Sequence, residues 1–291
     1  VNANTFTVLR SIGQGGSSFV HRVMANDNRL FALKCVKLEE VSRDEQEMFM
    51  NEIDFLRGLR NKDRVIQLYD YEFTLESNYI LMLMEIGEID LATIMKQWKG
   101  REKDMIFVRS YWKQMLLAVQ SIHKEGIVHS DLKPANFLLV LGNLKLIDFG
   151  ISKRIPSGSN DSCSHRKIGT ADYMSPESLR DTREDQSIGR AVIRMGLASD
   201  IWSLGCILYQ MLYDHTPFVE EDLRKKLRLI ISESSFIGYP ELKVQVKVDV
   251  NGIDTIQACL QHDHKRRPTI SQLLQGPLLH PGERHMNISS I

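Results

Sequence analysis

Apolar and polar residues alternate along the first 84 positions in the pattern of antiparallel strands joined by turns. One stretch departs from this alternation. After Ser42, apolar side chains recur at helical spacing, and Ser42 with Glu45 has the pattern of a capping box. We therefore predict a five-stranded antiparallel sheet with one helix, the strands covering residues 5–12, 18–25, 30–38, 65–75 and 78–84.

Helical spacing dominates beyond residue 90. A long amphipathic helix runs from about Phe107 to Gly126, a residue suited to the end of a helix. Two short apolar runs interrupt the helical pattern and are separated by Gly142 and Asn143, so they predict a hairpin of residues 137–140 and 144–147. The fold class is α+β, and further helices are predicted at residues 91–98, from 200 onward, and at 220–232, 253–261 and 270–274.

Composition excludes several classes of function. Lysine plus arginine and aspartate plus glutamate both number 37, so nothing indicates nucleic acid or an anionic membrane as a direct partner. The sequence has no apolar run of transmembrane length, and because its first residues lack a basic segment followed by an apolar one, we expect no signal peptide. The four cysteines are widely spaced in the sequence, and this spacing predicts free thiols in a reducing compartment rather than disulfides. Because the first residue is Val1 rather than methionine, we expect this to be one part of a longer protein.

Polar residues flank the predicted hairpin. Asp131, Lys133 and Asn136 precede its first strand, and Asp148 follows its second strand directly. Because a hairpin brings its two ends together, we expect these four side chains to converge at one edge of an apolar ribbon. Two carboxylates and an amide oxygen are hard ligands that suit Mg²⁺. The sequence therefore predicts a magnesium site at this edge.

A glycine-rich turn links the first two predicted strands. Glycine lets the backbone approach an anion, and exposed N–H groups bind phosphate oxygens. Such a turn is also common as a plain hairpin loop, but Val20 can cover a flat base, and Lys34 lies within an apolar strand and needs a charged partner. The turn is neither a P-loop nor a dinucleotide fingerprint, because a strand follows it and no Gly-Lys-Ser/Thr is present. The candidate phosphate-binding residues are Gly13, Gly15, Gly16, Ser17 and Ser18.

Glu52 is the natural partner of Lys34. It borders the apolar face of the predicted helix, 18 residues beyond the lysine. A glutamate on a helix is usually solvated, but a position beside the face that must pack favours an ion pair. Residues 85–90 then form a short connector, a candidate hinge whose backbone would hold the edge of an adenine ring. The candidate residues there are Met84, Glu85 and Gly87.

In this order, the motifs resemble those of the eukaryotic protein kinase domain over nearly the whole chain. The shared positions are Gly13-x-Gly15, Ala32-x-Lys34, Glu52, His129-Ser130-Asp131, Asn136, Asp148-Phe149-Gly150, Ser175-Pro176-Glu177, Asp200-x-Trp202-x-x-Gly205 and Arg267. In kinases, the late arginine pairs with the glutamate that stands here at Glu177.

Longer segments are similar to the monopolar-spindle kinases, the dual-specificity kinases of the spindle assembly checkpoint. They include GQGGSS (13–18), GIVHSDLKPANFL (126–138) and SDIWSLGCILYQM (199–211). Ser130 stands where most kinases carry arginine, and this too resembles that family. The activation segment is only loosely similar, and the last helices match weakly.

The resemblance implies a bilobal kinase fold. We expect an N-lobe over residues 1–86, a C-lobe over 87–279, a hinge near 85–90 and a tail over 280–291. The N-lobe would hold the five-stranded antiparallel sheet and one helix, and the C-lobe would be mainly helical. ATP and Mg²⁺ are the implied cofactors, and serine or threonine hydroxyls of proteins, in some cases tyrosine, are the implied acceptors.

The same resemblance assigns roles to individual residues. Asp131 would orient the acceptor hydroxyl and take its proton, and Lys133 would stabilise the transferring phosphoryl group. Lys34 would hold the α- and β-phosphates while pairing with Glu52. The implied metal ligands are Asn136 and Asp148. The residues expected around the adenine are Ile12, Val20, Ala32, Leu138 and Ile147.

Ser130 bears on regulation. The usual arginine binds a phosphorylated residue of the following loop through charge-assisted hydrogen bonds, and an uncharged serine does not. We therefore expect such a residue to be bound by other bases. Thr170 is either a phosphate acceptor or a structural contact of the catalytic loop. The candidate bases are Lys153, Arg154, Arg166 and Lys167.

Two alternatives stay open at this point. A pseudokinase scaffold would predict loss of Lys34, Asp131 or Asp148, and all three are present. A serine/threonine kinase outside the spindle family would share the same fold. The expected partners are protein substrates and a second copy of the chain for autophosphorylation. The expected location is the nucleus and cytoplasm, with the kinetochore and spindle in mitosis, and it depends on the resemblance alone.

Overall fold

The computed structural model describes the chain except for residues 3, 16–17, 75–77, 103, 155–160, 165–170, 180–192, 236, 241–249 and 282–291. The chain divides into two compact units. The first unit consists of residues 1–94 and 134–153, and the second of residues 95–133 and 154–291. The lobe boundary at residues 86 and 87 stays a prediction.

A five-stranded antiparallel sheet forms the larger part of the first unit. Its strands are β1 (Phe6–Gly15), β2 (Ser18–Ala25), β3 (Leu30–Lys37), β4 (Leu68–Thr74) and β5 (Tyr79–Met84). Their order, β1-β2-β3-β5-β4, confirms the predicted sheet. β1 is longer than predicted because Gly13 and Gly15 pair with Val20 and Ser18. β4 begins later than predicted, because Val65 forms a bridge with Leu146 instead.

The helix α1 (Arg43–Gly58) begins where the sequence predicts. The Ser42 hydroxyl accepts a hydrogen bond from the Glu45 amide at 3.3 Å, and a Glu45 carboxylate oxygen accepts one from the Ser42 amide at 2.9 Å. This capping box satisfies two amide groups that a helix start leaves without partners. The buried side chains of α1 are Glu52, Ile53, Phe55 and Leu56.

Short strands follow in the order β6 (Ile89–Asp90), β7 (Ile127–Val128), β8 (Phe137–Val140) and β9 (Asn143–Leu146). Strands β6, β8 and β9 form a three-stranded antiparallel sheet, which confirms the predicted hairpin. Its turn uses Leu141 and Gly142, both with positive φ (48° and 75°). The Ile147 amide donates to the Asn136 carbonyl at 3.0 Å and so joins the two ends of the hairpin.

The second unit is mainly helical. Its helices, with α2 shared between the units, are α2 (Leu91–Trp98), α3 (Met105–His123), α4 (Pro176–Leu179), α5 (Leu197–Tyr213), α6 (Leu223–Ile231), α7 (Val250–Cys259) and α8 (Ile270–Leu274). Other elements of the described residues, in either unit, are the strands β10 (Lys153–Arg154), β11 (Asp161–Ser164) and β12 (Ile193–Gly196), and 3₁₀ turns at Leu38–Glu40, Pro134–Asn136, Ala171–Tyr173 and His264–Arg266.

The helix α5 is the centre of the second unit's core. Nearly all its side chains are buried, including the indole of Trp202. α6 begins three residues later than predicted because the Asp222 carboxylate accepts a hydrogen bond from the Lys225 amide at 2.8 Å and so caps the helix. In the described ranges, no helix is long and apolar enough to cross a bilayer.

Close packing around α5 gives a first prediction. A methyl group at Gly205 would lie 2.7 Å from Cβ of Cys259, whereas one at Gly252 would meet nothing closer than Cδ1 of Leu212 at 3.4 Å. We expect Gly205→Ala to lower the free energy of unfolding by about 1–3 kcal/mol through overpacking. Gly252→Ala should leave it unchanged or raise it by up to about 1 kcal/mol through helix propensity. Urea unfolding of both variants measures this, and equal midpoints would contradict it.

Candidate active site

The candidate residues divide between the two units. All described candidates for nucleotide and metal binding lie in the first unit, and Asp131 and Lys133 lie in the second. Gly16 and Ser17 lie outside the described residues, as do Arg166, Lys167 and Thr170, and the side chains of Lys153 and Arg154. Ser18, at the start of β2, lies opposite Gly15.

The sheet register brings several nucleotide candidates onto one face. Gly13 lies opposite Val20, Val20 opposite Lys34, and Ala32 opposite Met84. Residues directly opposite each other in antiparallel strands share a face, as do residues two apart in one strand. These five positions therefore line one face of the sheet. Ile12 adjoins Gly13 in β1 and is 42% exposed.

Lys34 forms a buried ion pair with Glu52. Its Nζ lies 2.9 Å from Oε1 and 2.6 Å from Oε2 of the glutamate, and 5.2 Å from the centre of the Phe49 ring. Burial raises the pKa of Glu52 above its ordinary value; the charge of Lys34 opposes this shift, and the charge of Asp148 adds to it. The predicted pairing is confirmed, whereas the roles of the two residues in phosphate binding stay predictions.

The predicted hinge is bound to the hairpin of β8 and β9. Leu138 packs directly on Gly87, where an added methyl group would lie 2.3 Å from the leucine side chain. Glu85 accepts two hydrogen bonds from Lys145 Nζ, at 2.7 and 2.8 Å, and one from the Gln67 amide at 3.2 Å. Lys145 is not among the residues predicted from the sequence. Its signal there is a lysine between two leucines, which needs a charged partner just as Lys34 does.

The metal candidates Asn136 and Asp148 lie at the two ends of the hairpin. The side chain of Asn136 is buried, that of Asp148 is exposed, and Asp148 has a φ of 64°. No group of three or more histidine, cysteine or acidic residues suited to a metal occurs in the described part of the chain. One amide oxygen and one carboxylate fit Mg²⁺, which retains waters and takes phosphate oxygens as its other ligands. Ile147 adjoins Asp148 and is half-buried.

Asp131 lies in a loop held by a buried carboxylate. Lys133 Nζ donates to Asp131 Oδ2 at 2.7 Å. The carboxylate of Asp200, at the start of α5, is fully buried and accepts hydrogen bonds from the amides of His129 and Ser130, at 2.9 and 3.0 Å. His123 Nε2 lies 2.8 Å from the same carboxylate. The motif Asp200-x-Trp202 indicated Asp200 from the sequence, but the hydrogen-bond partners of Asp200 were not predicted.

Glu177 and Arg267 form the other predicted pair. The Nη1 and Nη2 atoms of Arg267 lie 2.6 and 2.8 Å from the two carboxylate oxygens of Glu177, and its guanidinium lies 5.0 Å from the centre of the Trp202 ring. Burial by itself would raise the pKa of Glu177, but the hydrogen bonds and charge of Arg267 outweigh it and hold the pKa below its ordinary value. The pair joins α4 to the segment between α7 and α8.

This lowered pKa predicts a pH-dependent contribution to stability. The stabilisation from the ionised Glu177 is present above the ordinary pKa of 4.5 and is lost as pH falls through the lower value in the folded state. At pH 7 we expect Glu177→Gln to lower the free energy of unfolding by about 3 kcal/mol, because it breaks a largely buried ion pair. The difference from the unaltered protein should narrow below about pH 4.5.

Urea unfolding at pH 7 and below about pH 4.5 measures the difference in free energy of unfolding between Glu177→Gln and the unaltered protein. The matched control is Asp54→Asn, which removes the partner of Arg57 in an exposed pair separated by 3.9 Å. It should change stability by no more than about 0.5 kcal/mol at either pH. A Glu177→Gln difference that is constant with pH would contradict the expectation.

Residues 6–279 match the family model described as "Protein kinase domain". The chain is 41% identical over 290 residues to serine/threonine-protein kinase mph1 of Schizosaccharomyces pombe, covering 95% of this chain and 43% of that protein. It is 40% identical over 290 residues to dual specificity protein kinase TTK of Mus musculus, covering 98% and 33%. It is 38% identical over 287 residues to serine/threonine-protein kinase MPS1 of Saccharomyces cerevisiae, covering 97% and 37%. The chain thus spans less than half the length of each of these relatives.

Proposed function

The chain belongs to the protein kinase family, and on that premise we propose that it transfers the γ-phosphoryl group of ATP to serine and threonine hydroxyls of proteins. The observation that carries the proposal is the buried pair of Lys34 and Glu52, with bonds of 2.6 and 2.9 Å. A scaffold that does not bind phosphates has no need of a lysine on the apolar face of its sheet. Lys34 faces the same side of the sheet as Val20 and Ala32.

Asp131 is the proposed general base. It would orient the acceptor hydroxyl and take its proton as the new bond from oxygen to phosphorus forms and the bond to the β-phosphate oxygen of ADP breaks. Lys133, whose Nζ lies 2.7 Å from Asp131 Oδ2, would stabilise the charge on the transferring group. The backbone bonds from His129 and Ser130 to Asp200 support this loop in a fixed conformation.

Lys34 is proposed to bind the α- and β-phosphates, and Glu52 to hold its ammonium group in place. Asn136 and Asp148 would hold Mg²⁺, which neutralises phosphate charge when bound. The adenine would lie against Ile12, Val20, Ala32, Met84, Leu138 and Ile147, with the backbone of Glu85 and Gly87 at its edge. The packing of Leu138 on Gly87 and the register of Ala32 opposite Met84 support this assignment.

The relatives narrow the proposal. Their names describe serine/threonine and dual specificity protein kinases, so we include tyrosine among the acceptors. The resemblance to the monopolar-spindle kinases agrees with identities of 38–41% to mph1, TTK and MPS1. We therefore propose a role in spindle checkpoint signalling, at the kinetochore in mitosis, with autophosphorylation by a second copy of the chain.

Phosphoryl transfer is tested with labelled ATP, Mg²⁺ and a generic basic protein substrate. Asp131→Asn should lower kcat by at least about a hundredfold because the proton acceptor is lost. Lys34→Met should lower kcat/KM for ATP by a similar factor through loss of electrostatic stabilisation. The control is Lys96→Met, an exposed lysine of α2, which should retain activity. Transfer by the unaltered protein that does not exceed that of Asp131→Asn would refute the proposal and favour a pseudokinase scaffold.

The proposed location is tested separately. A fluorescent tag on the full-length protein at its own locus should give kinetochore foci that appear on entry into mitosis and fade at anaphase. A uniform distribution through mitosis, together with active phosphoryl transfer, would favour a serine/threonine kinase outside the spindle family. The matched strain carries Asp131→Asn, which separates placement from activity.

A further inference from the structure

One side chain of α1 is bonded to the segment that follows Asp148. Asn51 Nδ2 lies 3.0, 3.0 and 3.1 Å from the carbonyl oxygens of Phe149, Gly150 and Ser152. A primary amide has two hydrogens, so three carbonyl groups share two donors. These partners lie 98 to 101 residues further along the chain, and no local structure requires them to converge on this amide.

Apolar contacts on the same side of α1 reinforce the bonds. The rings of Phe55 and Phe149 stack, with centroids 6.4 Å apart and planes at 26°. Met48 Cε lies 3.4 Å from the position that a methyl group on Gly150 would occupy. Met48, Asn51 and Phe55 follow one another at helical spacing and therefore lie on one face of the helix. Three successive side chains of this face contact the segment after Asp148.

The bonded segment directly follows Asp148. This residue has a φ of 64°, a strained backbone conformation of the kind that persists where the surrounding structure holds it. The Gly150 amide donates a long hydrogen bond, 3.4 Å, to Asp148 Oδ1. Asn51, which bonds this segment, directly precedes Glu52 in α1.

We propose that Asn51 is a positioning residue that sets the carboxylate of Asp148 relative to the Lys34–Glu52 pair by holding the backbone of residues 149–152 against α1. The inference rests on the proposed function, in which Asp148 binds Mg²⁺. One turn of α1 then positions two groups of the site. Glu52 positions the ammonium group of Lys34, and Asn51 positions the carboxylate of Asp148. Partners that orient a ligating carboxylate typically change metal affinity by about 10–100-fold when they are removed.

The test compares two variants with a matched control. Asn51→Leu removes both donors, and Asn51→Asp also directs a negative charge at the three carbonyl groups. The control is Gln46→Leu in the same helix, because Gln46 Nε2 donates to a single backbone carbonyl, that of Leu38, at 3.4 Å. Asn51→Gln retains both donors on a longer side chain and serves as the conservative variant.

Two readouts do not depend on catalysis. Hydrogen exchange of the metal-free protein over residues 147–152 should be faster by about tenfold or more in Asn51→Leu and Asn51→Asp. The Mg²⁺ concentration that half-saturates ADP binding, measured by calorimetry, should rise by about tenfold or more.

KM for the protein substrate should change by less than about twofold, and Gln46→Leu should match the unaltered protein in every measurement. Asn51→Gln should recover part of the Mg²⁺ affinity, a recovery that a purely structural role does not predict.

The outcomes separate this inference from the proposed function. Asn51 variants that match Gln46→Leu in exchange and in Mg²⁺ dependence would overturn the inference, even if the protein is an active kinase. Lack of phosphoryl transfer by the unaltered protein would refute the proposed function, while exchange and ADP binding would still decide the role of Asn51. If Asn51→Leu and Asn51→Asp fail to fold, Asn51→Ala, which removes both donors with a smaller change in bulk, takes their place in the same two readouts. Exchange and Mg²⁺ dependence of Asn51→Ala that match those of Gln46→Leu would contradict positioning.

Discussion

The buried ion pair of Lys34 and Glu52 is the interaction on which the first unit depends. A lysine among apolar side chains is costly unless a charge compensates it. Compensation requires that β3 keeps its register, because a slip of one residue would turn Lys34 to the opposite face, that of Val23 and Phe31. It also requires that α1 packs with the face of Glu52 inward, and the cap at Ser42 fixes where this helix begins. Strand register and helix capping therefore jointly satisfy one electrostatic requirement.

The second unit meets a similar requirement with a single carboxylate. Asp200 is fully buried, so its charge has to be balanced by hydrogen-bond donors. Two of these donors are the consecutive amides of His129 and Ser130. Because those amides immediately precede Asp131, the loop that carries the proposed base is held by the helix at the centre of the core. A carboxylate buried in the core thus supports the backbone of the loop that carries Asp131.

Features that depend on local pattern could be predicted from the sequence. The sheet, the start of α1 and the hairpin follow from periodicity and turn chemistry, and the partner of Lys34 follows from the cost of a buried charge. The bonds of Asn51 could not be predicted this way, and although Lys145 between two leucines signals the need for a charged partner, its pairing with Glu85 could not be predicted either. They join residues 98 and 60 positions apart, and nothing in either segment specifies the other. Such contacts arise only when packing brings the segments together.

Two residues in left-handed backbone conformations show why those long-range contacts matter. Ser130 and Asp148 have φ values of 70° and 64°, each adjacent to or within the proposed catalytic set. Conformations of this kind cost about 1–3 kcal/mol, and serine tolerates them less well than aspartate. Hydrogen bonds to charged groups contribute about 1.5–3 kcal/mol, and the bond from the Ser130 amide to the Asp200 carboxylate is of that type. Beside Asp148 the corresponding restraint is the amide of Asn51, which is neutral and is shared among three carbonyls. The segment after Asp148 is therefore held to α1 by neutral hydrogen bonds and apolar contacts, whereas the loop before Asp131 is held by hydrogen bonds to a buried carboxylate.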